Sequence, residues 1–223
     1  MKIELHAHTS QSSGCGQLPA EELVGRYKGA GYKTIVVTDH FVGRKDGEAS
    51  RSARIEKWLA GWRAAKKAGD RIGLNVLMGA EMRFATTGCE DILIFGMKEE
   101  YAWDMMAILD ADAGIEALYR AAHERGMLVV QAHPFRPGLV QFDHAYLDGV
   151  EVYNGHPHHN SRNDLALEYG LRGGADFLRT SGSDAHEMDE LARGGVISPK
   201  GIRTNEELVE FLKNTPDMVR IES

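Results

Sequence analysis

The sequence predicts an α/β barrel in one domain, and three observations carry that expectation. Short apolar runs alternate with amphipathic stretches along the chain, the pattern of parallel strands joined by crossover helices. Six or seven such strands within 223 residues suit a closed barrel better than an open sheet, and α/β barrels of this length form single units, here residues 1–223. The apolar runs also end in His, Asp or Glu, at the carboxyl ends where barrel chemistry sits.

Taken in order, Met1 to Leu5 is a short strand that runs into His6-Ala7-His8-Thr9. Residues two apart on a strand share a face, so His6 and His8 are expected to project together, on the face that carries Glu4. A polar loop, Ser10 to Gly16, follows, and Pro19-Ala-Glu-Glu-Leu23 opens a helix with proline in its first turn and acids behind it. Thr34 to Thr38 is a buried-type strand ending in Asp39-His40, followed by a polar loop from Phe41 to Ser50. A long helix is predicted over 51–68, with Trp58, Leu59 and Trp62 on one face as core rather than as a base-stacking platform.

Asn75 to Glu81 is the third strand. Thr86-Thr87-Gly88 reads as a hairpin turn into a returning strand, Ile92 to Phe95, which would set Asp91 opposite Glu81. Residues 97–112 and 136–146 read as loops. An amphipathic helix over 114–125 closes at Gly126. Met127 to Ala132 is a strand ending in His133-Pro134, and Val150 to Tyr153 is one ending in Asn154-Gly155. Beyond a helix near 162–172, Asp176 to Ser181 runs into Gly182-Ser183-Asp184-Ala185-His186. A last helix, Asn205 to Asn214, and a short strand near Met218 to Ile221 end the chain.

Composition narrows the class. A formal charge of −7 without a lysine or arginine run argues against stable binding to duplex nucleic acid. The two cysteines, Cys15 and Cys89, make no disulfide framework, and the chain is expected to be cytoplasmic. The amino terminus carries no apolar targeting segment, and no stretch has the length and apolarity of a membrane span. Nothing in the sequence specifies an oligomer. Ten histidines are the one unusual feature.

The candidate metal ligands are His6, His8, His40, Glu81, Asp91, His133, Asp184 and His186. Each alone is an ordinary solvated or turn-forming side chain. Five strand ends converging on one barrel mouth make a cation site the better explanation, and imidazole with carboxylate suits zinc, iron or manganese rather than calcium.

These residues also carry a resemblance. His6-Ala-His8-Thr, Thr38-Asp-His40, Gly79-Ala-Glu81, His133-Pro134, Glu151-Val-Tyr-Asn154 and Ser183-Asp184-Ala-His186 resemble, in order, the motifs of the PHP (polymerase and histidinol phosphatase) family of metal-dependent phosphoesterases. The resemblance implies a distorted (βα)7 barrel with two or three divalent ions (Zn, Fe or Mn). It implies that His6, His8 and Asp184 hold a first ion, Glu81 bridges to a second held by His133, and His40 and His186 hold a third. Two positions depart from the family. Ser12-Ser13-Gly14-Cys15 stands where a His or Asp is usual, leaving Cys15 as a thiolate ligand or an inert thiol. Asp91 stands where a histidine is usual.

The function expected is hydrolysis of a phosphate ester by a metal-activated water, with a phosphorylated small molecule or nucleotide as substrate. Asp184 and His186 border the metals as candidate catalytic residues. Arg136, Arg44 and Asn154 are candidate substrate contacts, since arginine suits phosphate. Asp39 is expected to orient His40. Glu151, three residues before Asn154 on one strand, is expected to face away and to be structural. His156, His158 and His159 read as a solvated loop, and His123 and His144 as structural. Two rival readings are a metal-dependent amidohydrolase-like enzyme and a non-catalytic metal-binding barrel. The absence of a lysine at any strand end weighs against the first. The complete set His6, His8, Glu81 and Asp184 weighs against the second. No polymerase-type extension is expected beside the domain.

Overall fold

The structure, a computed structural model, describes residues 1–86, 88 and 90–223. The chain opens with β1 (Lys2–Ala7), α1 (Ala20–Gly29), β2 (Tyr32–Val37), β3 (His40–Val42) and α2 (Glu48–Ile72). It continues through β4 (Asn75–Arg83), β5 (Ile92–Phe95), α3 (Ala102–Asp110), α4 (Ile115–His123) and β6 (Leu128–Gln131). It ends with β7 (Gly149–Asn154), α5 (Asn163–Arg172), β8 (Leu178–Gly182), β9 (Val196–Ile197), α6 (Asn205–Asn214) and β10 (Val219–Arg220).

Among the described residues the strands form one sheet in the order β10-β9-β1-β2-β4-β5-β6-β7-β8, with β3 laid along β4. The pairs β1–β2, β2–β4, β6–β7 and β7–β8 are parallel. β5 runs antiparallel to both its neighbours, which is the main distortion from a regular barrel. Closure falls just past β8, where Asp184 N donates to His6 O at 2.8 Å and His8 N to Ala185 O at 3.1 Å. The expected distorted α/β barrel is the fold observed. Among the described residues no helix is long and apolar enough to cross a membrane.

The strands are apolar on both faces because both faces are covered. Leu5, Leu93, Phe95, Leu128 and Val130 pack inside the barrel with Leu208, Phe211 and Leu212 of α6, which plugs the end opposite the histidines. Outside, Tyr27 of α1 and Ala65 and Ala68 of α2 pack on Ile35, Val37 and Val76. α2 begins before and ends after the span predicted for it, and stops at Gly73 in the left-handed region, φ 70°, where glycine carries no steric cost. Residues 102–110, expected as loop, are helical, because Ala102, Met105, Met106 and Leu109 recur at helical spacing and are buried.

Two register details correct the expected placement of side chains. β4 runs past Glu81 to Arg83, and Met82 pairs with Ile92 and Glu81 with Leu93. Asp91 therefore lies beside Arg83, not opposite Glu81. The expected turn at Thr86-Thr87-Gly88 includes Thr87, which falls outside the described residues, as does Cys89. In β1 the register slips between Glu4 and Ala7, a bulge that turns Glu4 away from the histidines. Glu4 instead accepts from Ser183 N and from Ser183 Oγ, and sits close to Tyr27 and Tyr32. Burial pushes its carboxyl up to about 7 against these hydrogen bonds.

α2 reaches the site loop through a glycine. A Cβ at Gly61 would come within 2.2 Å of Asp39 Oδ2 and 2.3 Å of Ser12 Oγ and Thr9 Oγ1. Gly61→Ala is expected to cost about 1–3 kcal/mol through overpacking. That is a fall in Tm of roughly 2–12 °C for a chain of this size, and a thermal melt showing no change would contradict the packing described.

Candidate metal centre

The strand ends bring His6, His8, His40, Glu81, His133, Asp184 and His186 into one cluster. Glu81 lies at its middle and is fully buried. Its Oε1 is 3.2 Å from His6 Nε2 and 3.1 Å from His133 Nε2. Its Oε2 is 3.3 Å from His8 Nε2 and 2.8 Å from His40 Nδ1. Asp184 Oδ1 is 3.3 Å from both His6 Nε2 and His8 Nε2. The rings stack as well, His8 on His186 at 4.2 Å and on His40 at 4.6 Å between centroids.

These groups are held from outside the cluster, in the manner by which ligating histidines are usually oriented. His6 Nδ1 lies 2.9 Å from Glu151 Oε1. Glu151 Oε2 also accepts from His133 N and from Asn154 Nδ2. His8 Nδ1 meets Ser13 Oγ at 3.2 Å, and Ser13 Oγ donates to Asp39 Oδ1 at 2.8 Å. His186 Nδ1 meets Asp184 O at 2.9 Å. In His6 and His8 the second ring nitrogen points inward, toward Glu81 and Asp184. His133 and Asp184 both adopt positive φ, 27° and 53°, a backbone strain of order 1–3 kcal/mol per residue. Their N–H groups are anchored on Glu151 Oε2 and His6 O, which holds that geometry.

Two expectations are overturned here. Glu151 is not structural packing on the far face. Glu151 and Tyr153 pair with successive residues of β8, Thr180 and Ser181, so β7 bulges by one residue and Glu151 and Asn154 share the inner face. Asp39 acts on His8 through Ser13 rather than on the His40 ring; His40 contributes only its N–H to Ser13 Oγ. Burial pushes Asp39 up to about 6 despite bonds from Thr9 and Ser13.

The electrostatics are those of a cation site. Burial would raise Glu81 and Asp184, but His40 and His6 hold Glu81 well below the usual carboxylate range, and His6, His8 and Arg136 do the same for Asp184. Burial would lower His6 and His40, but Asp184, Glu151 and Glu81 hold His6 high, and Glu81 holds His40 high. Burial and the neighbouring His186 push His8 well down. Buried His6 Nε2, His8 Nε2, His40 Nδ1, Glu81 Oε2 and His133 Nδ1 make no hydrogen bond among the described residues. The first four of these face one another across the cluster, while His133 turns its Nε2 to Glu81; such an arrangement fits a divalent cation, and so does the donor set of imidazoles and carboxylates. Trios able to grip one ion include His6–His8–Glu81, His6–His133–Asp184, His8–His40–His186, His40–Glu81–Asp91 and His156–His186–Glu190.

The remaining predicted residues divide. Asp91 is buried near the cluster, 3.9 Å from His133 Nε2, but Arg83 engages both its oxygens at 2.6 Å. Arg136 lines a cavity of about 540 Å³ together with the ligands and pairs with Asp184 and with Asn154 Oδ1. Asn154 is corrected from a substrate contact to a positioning residue. Its amide nitrogen serves Glu151 and Asp184, and its oxygen accepts from Arg136, Ser161 and His156 N, so no polar atom is left for a substrate. Arg44 lines an adjoining cavity of about 340 Å³ with Arg54 and Lys57. Cys15 is exposed between the two cavities. Burial raises its thiol, but bonds to His186 and His40 bring it down to about 6.

Ser13, Glu151 and Glu190 were not legible as site residues. Glu190, nearly fully buried, reaches both His156 Nε2, at 3.2 Å, and the His186 N–H.

A barrel with imidazoles and carboxylates gathered at its carboxyl end defines a metal-dependent hydrolase. The PHP domain profile matches residues 4–169, and the chain belongs to the PHP family. No curated protein matches it. Among solved structures it is similar to a protein of inferred metal-dependent phosphoesterase function from Bifidobacterium adolescentis, 19% identical over 94% of this chain and 95% of that one, TM-score 0.60. It is also similar to a two-domain protein with a predicted PHP-like metal-dependent phosphoesterase from Bacteroides vulgatus, 15% identical over 97% of this chain and 63% of that one, TM-score 0.63. A third is a lesion-specific endonuclease from Pyrococcus furiosus, 14% identical over 98% of this chain and 57% of that one, TM-score 0.56.

Proposed function

We propose that the chain is a phosphoesterase, a single hydrolase domain that binds two or three divalent ions of Zn, Fe or Mn. The observation that carries this reading is Glu81, whose two oxygens face four imidazoles at 2.8–3.3 Å. A carboxylate so placed would be shared between neighbouring ions. His6, His8 and Asp184 would hold one, His133 with Glu81 a second, and His40 with His186 a third. Cys15 completes the third set where the loop lacks another ligand, and its lowered thiol fits that role. Bound ions of this kind supply a nucleophile at neutral pH and neutralise charge on phosphoryl oxygens.

The chain's own residues do the rest. Arg136, pinned by Asn154, Ser161 and Asp184, presents a guanidinium at the rim for phosphate oxygens. Asp184 and His186 act through the ions they hold. The phosphoesterase and endonuclease descriptions of the similar structures favour a phosphorylated substrate, and the formal net charge of −7 favours a small molecule or nucleotide over duplex nucleic acid.

Elemental analysis of protein purified without added metal, with assays on an aryl phosphate monoester and diester, tests the reading. Two or three ions per chain are expected, and His6→Ala is expected to lose metal and activity together. Treatment with a chelator is expected to lower Tm, because ions bound only by the folded chain stabilise it. Metal without phosphate hydrolysis would refute the phosphoesterase, and no metal after reconstitution would refute the centre itself.

A further inference from the structure

We propose that His159 is the general acid of this site, delivering a proton to the leaving oxygen of the ester. The inference rests on the phosphoesterase reading and assigns a role that the ligand set leaves unfilled. Asp184 cannot serve. Its Oδ1 faces His6 and His8, and its Oδ2 accepts from Arg136 and Asn154. In His186 one ring nitrogen meets Asp184 O, and the ring packs among the ligands.

Of the three histidines that follow β7, two are committed. His156 is buried, its Nδ1 accepting from His158 N at 3.2 Å and its Nε2 pairing with Glu190. His158 Nε2 is 3.0 Å from Asp189 at the surface. His159 differs. Like His158 it lines the cavity with Arg136 and the candidate ligands, but neither of its ring nitrogens makes a hydrogen bond among the described residues, whereas the His158 ring is held by Asp189.

The segment that carries it is built rather than loose. The His159 ring packs on His156 at 4.4 Å. His156 is tied to Glu190, whose other oxygen accepts from His186 N and Glu187 N. His159 is thus braced against the segment that supplies a ligand, the support a proton donor requires. His159 is exposed at the cavity mouth, and partial desolvation with the Arg136 charge holds its pKa below the ordinary value in the free site. A phosphate dianion against Arg136 adds negative charge beside the ring and favours the imidazolium.

The step balances without a co-reactant. Water oxygen forms the new P–O bond and gives a proton to solvent. The ester P–O bond breaks, its electron pair stays on the leaving oxygen, and that oxygen takes the imidazolium proton. Solvent then reprotonates His159.

Leaving-group dependence tests the assignment. Nitrophenolate leaves without help, and a benzyl alkoxide needs a proton. His159→Gln is expected to lower kcat on benzyl phosphate by roughly 10²-fold or more, the contribution of a positioned acid, and on 4-nitrophenyl phosphate by less than about tenfold. Metal content is expected to be unchanged, and His158→Gln is expected to show no difference between the two esters. Equal losses on the two esters, no loss on either, or the differential loss appearing in His158→Gln would overturn the proposal. Wild-type protein that carries its metals and cleaves neither ester would instead remove the phosphoesterase reading beneath it.

Discussion

Glu81→Gln is expected to remove most of the metal and to lower kcat/KM by on the order of 10³-fold or more. The magnitude follows from the several kcal/mol that bound cations supply in such reactions, at about 1.4 kcal/mol per tenfold. Glutamine keeps the volume, so the barrel is expected to fold. It cannot keep the charge, and each amide face is wrong in turn. With its oxygen toward His6 and His133, its NH2 points at His8 and His40, the side on which the carboxylate oxygen stands 2.8 Å from His40 Nδ1. Elemental analysis and a rate assay on one preparation check this. A variant that retained its metals and its rate would show that Glu81 bridges nothing.

The second large effect is expected at a residue that ligates no ion. Glu151 is buried, takes the His6 ring on one oxygen, and takes His133 N and Asn154 Nδ2 on the other. In Glu151→Gln, an oxygen kept toward His6 leaves the NH2 facing two other donors. The variant is expected to bind metal about 10–100-fold more weakly and to lose roughly 1–3 kcal/mol of stability from the unsatisfied groups. Titration of metal into the apo protein, with a thermal melt, measures both. Wild-type affinity in this variant would mean that His6 needs no orienting partner.

Glu151 also shows where reading the sequence runs out. The alternation of apolar runs and helices was enough for the barrel, and the strand-end residues His6, His8, His40, Glu81, His133, Asp184 and His186 were all legible because each sits at a carboxyl end that the fold points inward. Two of the failures share one cause. Assigning faces by counting in twos presumes an unbroken pleat, and the chain breaks it at Glu4–Ala7 and at Glu151–Tyr153. Each bulge reverses the parity beyond it, so Glu4 was expected on the face of His6 and His8, and Glu151 on the far face. A signal was present at β7, since Glu151 and Asn154 are both polar in an otherwise apolar strand. The placement of Asp91 opposite Glu81 failed differently, because its register depends on where β4 ends. Ser13 and Glu190 act from loops whose paths no periodicity encodes.

The way the barrel closes bears on how it comes apart. β1 and the chain leaving β8 meet through a short run of backbone bonds around His6, His8, Asp184 and Ala185, whereas β2 and β4 share a continuous ladder. The ligands flank that join, His6 and His8 on one side and Asp184 and His186 on the other, separated by nearly the whole sequence. Ions held between them would act as a clasp on that seam. On stripping the metal, amide exchange should therefore quicken first at His8 and Asp184, while the β2–β4 ladder stays protected until the whole chain opens.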